Sequence, residues 1–264
     1  MTLDFDFCLR HSRRAIVTSV ILALFAGCFG VELAAQGPSP AAALTPQRIK
    51  EIVASSDRSD ADRANDIRRK PAEMLAFIGI VPGMVAVDLS TGGGYTTELI
   101  ARAVGPTGRV YGQSPNPAAT ARLAARSKNP AAGNMIAVVQ KFEDPFPPAA
   151  NKDAVDLVTI MFNYHDLGHM GVDRAQMNNA VYAALKPGGI YVIADHSGRP
   201  GTGISESGTL HRIEEAFLRK EVEAAGFKFV AEGGFLRNPA DPRDKETPDP
   251  PMPKDEFVLK FVKP

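Results

Sequence analysis

The chain has no tryptophan and only two cysteines, Cys8 and Cys28, and its 30 Lys and Arg residues balance its 30 Asp and Glu residues. Each shortage removes a class of function. Zero net charge leaves no electrostatic footprint for nucleic acid or an acidic membrane surface. Both cysteines lie in the first thirty residues, so unless Cys28 is retained the rest of the chain has no thiol. That excludes cysteine nucleophiles, thiolate metal ligands and disulfides from its mechanism. No long block of like charge and no internal repeat interrupts the sequence. What remains is ordinary globular composition, 44% hydrophobic and 23% charged over 264 residues, enough for one α/β domain and a leader.

The leader is read in residues 1–35. Arg10, Arg13 and Arg14 precede the apolar run AIVTSVILALFAGCFGV, which sits at the lower length limit for a membrane-spanning helix. It reads as a secretory signal rather than a retained anchor, with cleavage near GCFG or near Ala34 and Ala35. Ser12-Arg13-Arg14-Ala15-Ile16-Val17 is similar to a twin-arginine export signal, with Ile16 and Thr18 in place of the usual phenylalanine and lysine. Phe25-Ala26-Gly27-Cys28 is similar to a lipoprotein cleavage box, which makes Cys28 a possible lipid anchor. The expected location is therefore outside the cytoplasm, in a bacterial periplasm, with no membrane span in the mature form. Residues 36–44, QGPSPAAAL, read as a linker, and residues 45–264 as one domain.

That domain is organised around VAVDLSTGGGYTT, residues 85 to 97. Val85, Val87 and Leu89 alternate with smaller or polar residues, then three glycines precede a helix-compatible TTELIARAV. The pattern is strand, tight turn, helix. Asp88 falls near the carboxyl end of the strand, where open α/β sheets bind ligands, and glycines 92 to 94 let a backbone approach one closely. Before it, Thr45-Pro46 starts a helix, SSDRSDADRANDIRRK reads as a solvated helical surface, and AEMLAFIGI as a buried helix. Arg68 and Arg69 lie where they could reach the glycine loop from above. Downstream, RVYGQ, residues 134–139, AVDLVTIMFNYH, GIYVIADHS, FKFVAE and EFVLKFV read as strands. Helices are expected near residues 117–127, over VDRAQMNNAVYAAL, and over TLHRIEEAFLRKEVEAAGF with Leu210, Ile213, Phe217 and Val222 on one face. Alternating strands and helices predict a mostly parallel sheet covered on both faces.

The strand–glycine loop VDLSTGGGYTT, the following GRVYG, the DLV of the fourth strand, the LKPGG turn and the late AAGF together resemble class I S-adenosylmethionine-dependent methyltransferases. More narrowly, NYHDL, ADH, LHRI, LRNPADPR and FVLKF are similar to a group of exported bacterial methyltransferases. The resemblance implies a Rossmann-like α/β fold of seven strands, the last antiparallel, with S-adenosylmethionine over the carboxyl ends of strands one to four. Carried onto this chain, Asp88, Ser90, Gly92 and Gly94 would pack against the methionine portion of the cofactor. An acid ending the second strand would hold the ribose, but here that strand ends Gly112-Gln113-Ser114. Gln113 or Asn116 is the candidate substitute, and loss of the charge is expected to weaken cofactor binding about tenfold. Glu143 or Asp144 would meet the adenine amine. Ser90 stands where the family's first loop glycine falls.

His165 ends the fourth strand and Asp195-His196 the fifth, and neighbouring parallel strands end on the same side. Methyl transfer needs an aligned, deprotonated nucleophile, and a histidine near neutral pKa suits a general base. The expected base is His165, oriented by Asp166, with His196 second; Asn163 and Tyr164 line the same wall. His165 and His169 are four apart, a spacing that on a helix suits a metal. Gly168 between them and the lack of a helical apolar pattern argue against one, so no metal is expected. The long segment 236–254 is a candidate substrate lid.

The functional expectation is an exported methyltransferase acting on a small or exposed oxygen or nitrogen nucleophile, a small-molecule substrate. The alternative is a non-catalytic ligand-binding protein on a degenerate methyltransferase fold, favoured by Ser90 and the missing ribose acid. Metal-dependent hydrolysis ranks lower. A nicotinamide dehydrogenase ranks last, because Thr97 breaks the G-x-G-x-x-G spacing and no acid ends the second strand.

Overall fold

The central strand β1, Val85–Leu89, pairs in parallel with two neighbours at once: β2, Arg109–Gln113, and β4, Val155–Met161. Asp88 stands in register with Gly112 on one side and Thr159 on the other. The chain runs outward from β1 through β2 to β3, Met135–Val138, then returns to β4 and runs the other way to β5, Leu185–His196. This reversal makes the gap between β1 and β4 the topological switch point, where such sheets bind ligands. The complete sheet has the order β3-β2-β1-β4-β5-β7-β6, with β6 at Lys228–Glu232 and β7 at Glu256–Val262. Only β7 runs against the others, between β5 and β6. The computed structural model describes residues 42–248 and 250–264, and the expectations for residues 1–35, including Cys28, lie outside them. No helix among the described residues is long and apolar enough to cross a membrane.

Period-two alternation along the strands builds two cores. Val87, Tyr111, Val158, Tyr191 and Ile193 face one side and pack with Met177 and Val181 of α7, Arg174–Ala184, and Leu218 and Val222 of α8, Glu215–Ala224. Ala86, Val110, Leu157, Val192 and Ala194 face the other. There they meet α1, Pro46–Val53, α3, Pro71–Ile78, α4, Tyr95–Val104, and α5, Pro117–Arg126, through Ile49, Ile52, Leu75, Ile78, Leu99, Ile100 and Leu123. Thr45 caps α1 by accepting the Arg48 N–H, with Pro46 opening the helix.

Three expectations change. LKPGG does not separate helix from strand: α7 ends at Ala184 and β5 already pairs at Leu185, with a bulge before Ile190. The segment from Thr209 is not helical until Glu215, because Ile213 bridges to Ser197 and donates its N–H to the His196 carbonyl, extending the edge of β5. Leu210 and Ile213 therefore do not share a helical face with Phe217 and Val222. Finally, the charged stretch around α2, Asp60–Arg69, is not merely a solvated surface. Arg58 and Asp62 are buried. Arg58 forks onto Asp66 at 2.7 and 2.8 Å, and Asp66 also accepts the Tyr95 hydroxyl at 2.6 Å. Arg126 bridges Asp62 and Glu98, while Arg102 bridges Glu98 and Asp57. Alternating charges thus bind α2 to α4 and α5, and hold it above the glycine loop.

Breaking one member should expose the cost of the others. Arg126→Ala strands Asp62, whose side chain is 5% exposed, and leaves Glu98 to Arg102 alone; it is expected to cost about 2–3 kcal/mol in chemical denaturation. Burial raises the Asp62 pKa, but the Arg126 hydrogen bonds and charge, with Ser59 and Arg58, together hold it below its ordinary value; at Asp57 the Arg102 hydrogen bonds lower it directly. Depressed carboxylates stabilise above their ordinary pKa near 4 and lose that contribution as pH falls below it. The Arg126→Ala deficit should therefore shrink in acid; a deficit independent of pH would contradict this network.

Candidate active site

The turn after β1 is built from left-handed residues: Ser90 has φ 56°, Gly92 φ 54° and Gly94 φ 84°. A side chain at Gly94 would run into Leu123 and Arg126, at 2.9 and 3.0 Å from an added Cβ, so glycine there lets α5 pack on the loop. Gly93 differs: an added Cβ would meet nothing within 4 Å, so its backbone faces open space. That space is a cleft of about 90 Å³ lined by Asp88, Ser90, Thr91, Gly92, Gly93, Tyr95, Thr96, Met161, Asn163 and Arg69.

Asp88 forms the floor. Its carboxylate accepts the Thr159 hydroxyl at 2.7 Å and the Thr97 hydroxyl at 2.6 Å. Burial pushes its pKa up to about 6 against those two hydrogen bonds. Arg69 forms the roof. Its guanidinium lies over the Phe162 ring at 4.2 Å and near the Tyr95 ring at 5.8 Å, and makes no hydrogen bond or ion pair among the described residues. Burial and neighbouring Arg68 lower its pKa to about 10, so it stays charged at neutral pH. Phe162 itself has φ 62°, a left-handed conformation rare for a bulky residue.

Of the expected cofactor residues, the structure brings Asp88, Ser90, Gly92 and Asn163 to this cleft, with Gly94 capping α4 behind it. Gln113 is not available to a ribose. Its side chain is fully buried, with Oε1 accepting the Ser90 N–H at 3.3 Å and Nε2 donating to the Gln140 carbonyl at 2.7 Å. Asn116 is also occupied, as the N-cap of α5 through the Ala118 N–H. Glu143 accepts the Asp173 N–H at 3.3 Å, whereas exposed Asp144 makes no side-chain hydrogen bond among the described residues. Thr97 and Thr159 were missed. Thr159 had a signal, being the lone hydroxyl inside the apolar run LVTIM.

The second half of the site is a cluster of rings. His165 is buried, with Nδ1 2.6 Å from Asp195 Oδ1 and Nε2 3.0 Å from Asp166 Oδ1. Burial alone would lower its pKa, but hydrogen bonds to Asp166 and Asp195 raise it to about 9. With Nδ1 on Asp195 and Nε2 on Asp166, neither nitrogen is free to take a proton from an acceptor, and the expectation of His165 as general base is corrected. Asp166 does hold it, but from the nitrogen a base would use. His196 differs: burial keeps its pKa low. Its Nδ1 is 2.9 Å from Glu256 Oε1 but off the hydrogen-bonding direction, so it has no hydrogen-bond partner. His211 precedes α8, at φ 49°, with Nδ1 3.0 Å from Asp166 Oδ1.

The segment expected as a lid is stapled at its ends. Buried Asp255 accepts the Asn238 N–H and meets Arg237 and Arg243, and Asp241 accepts the Asp255 N–H and pairs with fully buried Arg212 at 2.9 Å.

Residues 86–189 match a family described as a methyltransferase domain. Solved structures similar to this chain include an S-adenosylmethionine-dependent methyltransferase from Aquifex aeolicus (17% identity, 84% of this chain and 100% of that one, TM-score 0.59). An arsenic(III) S-adenosylmethionine methyltransferase from Chlamydomonas reinhardtii is similar at 17% identity over 83% of this chain and 73% of that one, TM-score 0.55. The [4+2]-cyclase SpnF is similar at 14% identity over 85% and 98%, TM-score 0.55. No curated protein matches the chain in sequence.

The strain at Ser90 is testable. Ser90→Gly relieves about 1–2 kcal/mol of left-handed strain against some added unfolded-state entropy, and is expected to stabilise by up to about 1 kcal/mol in thermal unfolding. Destabilisation would mean that the hydroxyl makes a compensating contact. Residues 86–189 thus match a methyltransferase-domain family, and the chain shares the Rossmann-like fold of the solved S-adenosylmethionine-dependent methyltransferases it resembles.

Proposed function

We propose that the protein is an exported S-adenosylmethionine-dependent methyltransferase acting on a small oxygen or nitrogen nucleophile. The observation that carries the reading is the pairing of an uncompensated cation, Arg69, with a buried acid, Asp88, across a glycine turn at the switch point of the sheet. S-adenosylmethionine supplies a methyl group on a cationic sulfonium, beside an ammonium and a carboxylate. The residues present fit it: Arg69 is placed to hold the carboxylate, Asp88 to balance the cations, and Gly93 to leave room for the chain between them. Fold alone would not decide the chemistry, since a cyclase shares it.

The proton of the acceptor falls to His196, the uncharged histidine behind the Phe162 ring at 5.6 Å. Beside it lies a groove of about 480 Å³ lined by Arg68, Lys70, Arg237, Lys254 and Glu256 among others, a volume suited to a small molecule. Its excess of cations favours an anionic acceptor. Export is supported by Arg13, Arg14 and the apolar run behind them. A twin-arginine route carries folded protein, which fits a protein that leaves with cofactor already in place.

Three outcomes are expected. Arg69→Ala should weaken S-adenosylmethionine binding about 10- to 100-fold while leaving its decarboxylated analogue unaffected; equal loss for both would remove Arg69 from the carboxylate. Cofactor cations favour ionised Asp88, so affinity should fall as pH drops below about 6, and Asp88→Asn should flatten that dependence in calorimetric titrations. Arg13→Lys with Arg14→Lys should leave the protein unexported, as followed by fractionation; unchanged export would reject the twin-arginine route.

A further inference from the structure

Methyl transfer as described uses one histidine, yet the four histidines among the described residues touch in a row. Ring centroids are 5.7 Å apart for His169 and His211, 5.5 Å for His211 and His165, and 5.4 Å for His165 and His196. They come from three separate segments, and the carboxylate at their centre is Asp166. Its Oδ1 is 3.0 Å from His165 Nε2, 3.0 Å from His211 Nδ1 and 4.0 Å from His169 Nδ1. One ligand atom each from His165, Asp166 and His211 fall within 4.8 Å of one another. We propose that His165, Asp166 and His211 form a binding site for one divalent first-row transition-metal ion, with His169 at its edge.

Distances come first. Nitrogen and oxygen ligands sit about 2.0–2.2 Å from such an ion, which places adjacent ligand atoms about 3–3.5 Å apart. The two spacings at Asp166 Oδ1 already meet that, and the third pair, His165 and His211, lies within 4.8 Å and closes around the ion on binding.

The surroundings of His165 are those of a metal-bound imidazole. Asp195, fully buried, takes His165 Nδ1 on one oxygen at 2.6 Å and the His165 backbone N–H on the other at 2.7 Å. A buried carboxylate on the far nitrogen fixes ring orientation and tautomer, and directs Nε2 to the ion. Here Nε2 is directed at Asp166 and His211.

The third ligand is delivered by a constrained backbone. His211 occupies a left-handed conformation, which costs a non-glycine residue about 1 kcal/mol or more. The next residue locks it there: buried Arg212 donates to the carbonyls of Ser197 and Lys245 and pairs with Asp241. On the opposite wall, residues 166–169 form the single turn α6, Asp166–His169. The Ser207 hydroxyl ties this turn to the 200s segment by donating to the His165 carbonyl at 2.6 Å and accepting the His169 N–H at 2.9 Å. Gly168 permits that approach, since a Cβ there would lie 2.8 Å from Ile204 and Ser207.

Two imidazoles and one carboxylate leave positions open for exogenous ligands, the pattern suited to zinc or ferrous iron. His211 and Asp166 are partly solvent-exposed, so an ion can enter. Asp166 Oδ2 accepts the Asn163 amide at 3.0 Å, and Asn163 lines the cofactor cleft. On the methyl-transfer reading, on which this last step rests, the ion would hold an acceptor through oxygen and lower the pKa of its hydroxyl. That narrows the acceptor to an oxygen compound able to ligate a metal.

The test is equilibrium dialysis of the purified full chain against micromolar zinc and cobalt(II), with metal content by mass spectrometry and cobalt d–d absorbance as readouts. It needs neither cofactor nor acceptor, so its failure is separable from failure of the methyltransferase reading. One equivalent per chain is expected, with affinity reduced tenfold or more by His211→Asn and by Asp166→Asn. Asparagine tolerates the left-handed backbone at 211, and unchanged metal-free circular dichroism would show that the fold survives. Less than stoichiometric retention by the unsubstituted chain, or binding that both substitutions leave intact, would overturn the proposal.

Discussion

A buried carboxylate next to an unpaired arginine is the constraint on which the rest depends. Asp88 sits at the centre of the sheet, in register with Gly112 and Thr159, and is held by hydroxyls from β4 and α4. Burial disfavours its charge, and two neutral hydrogen bonds compensate only in part. Across the cleft Arg69 is held by aromatic faces rather than by an acid. The two do not neutralise each other by contact, so each keeps a charge to offer a ligand bearing both signs.

The ion-pair lattice of α2 follows from that need. An arginine can be kept over a cleft without a carboxylate only if its helix is fixed by other means. Asp62, Asp66 and Arg58 supply them through Arg126, Glu98 and Tyr95. Buried ion pairs of this kind add little net stability but strongly penalise loss of one partner, which suits a device for holding position. The same division separates the two halves of the site. His165 is fixed by Asp195 and Asp166, while His196 lacks a hydrogen-bond partner at Nδ1.

The sheet was legible in the sequence because its strands are β-branched runs punctuated by glycine and proline, and because VDLSTGGGYTT signals strand, turn and helix within thirteen residues. The glycine-loop half of the site was legible for the same reason: it is local. What could not be read was set by contacts far apart in sequence. Gln113 looked available until Ser90 and Gln140 claimed both ends of its amide. His165 looked like a base until Asp195, thirty residues on, took one nitrogen and Asp166 the other. The helix expected from Thr209 yields to a bridge between Ile213 and Ser197, and helical periodicity carries no sign of that. His211 was read inside that helix, which hid its position against Asp166.

The central claim is that the cleft between β1 and β4 binds S-adenosylmethionine, and calorimetric titration of the purified, folded protein with this cofactor and with its demethylated product tests it most directly. The account predicts one site per chain for both compounds, with micromolar affinity limited by the absence of an acid at the end of β2. No heat of binding for either compound, from a monodisperse sample with an intact unfolding transition, would contradict it.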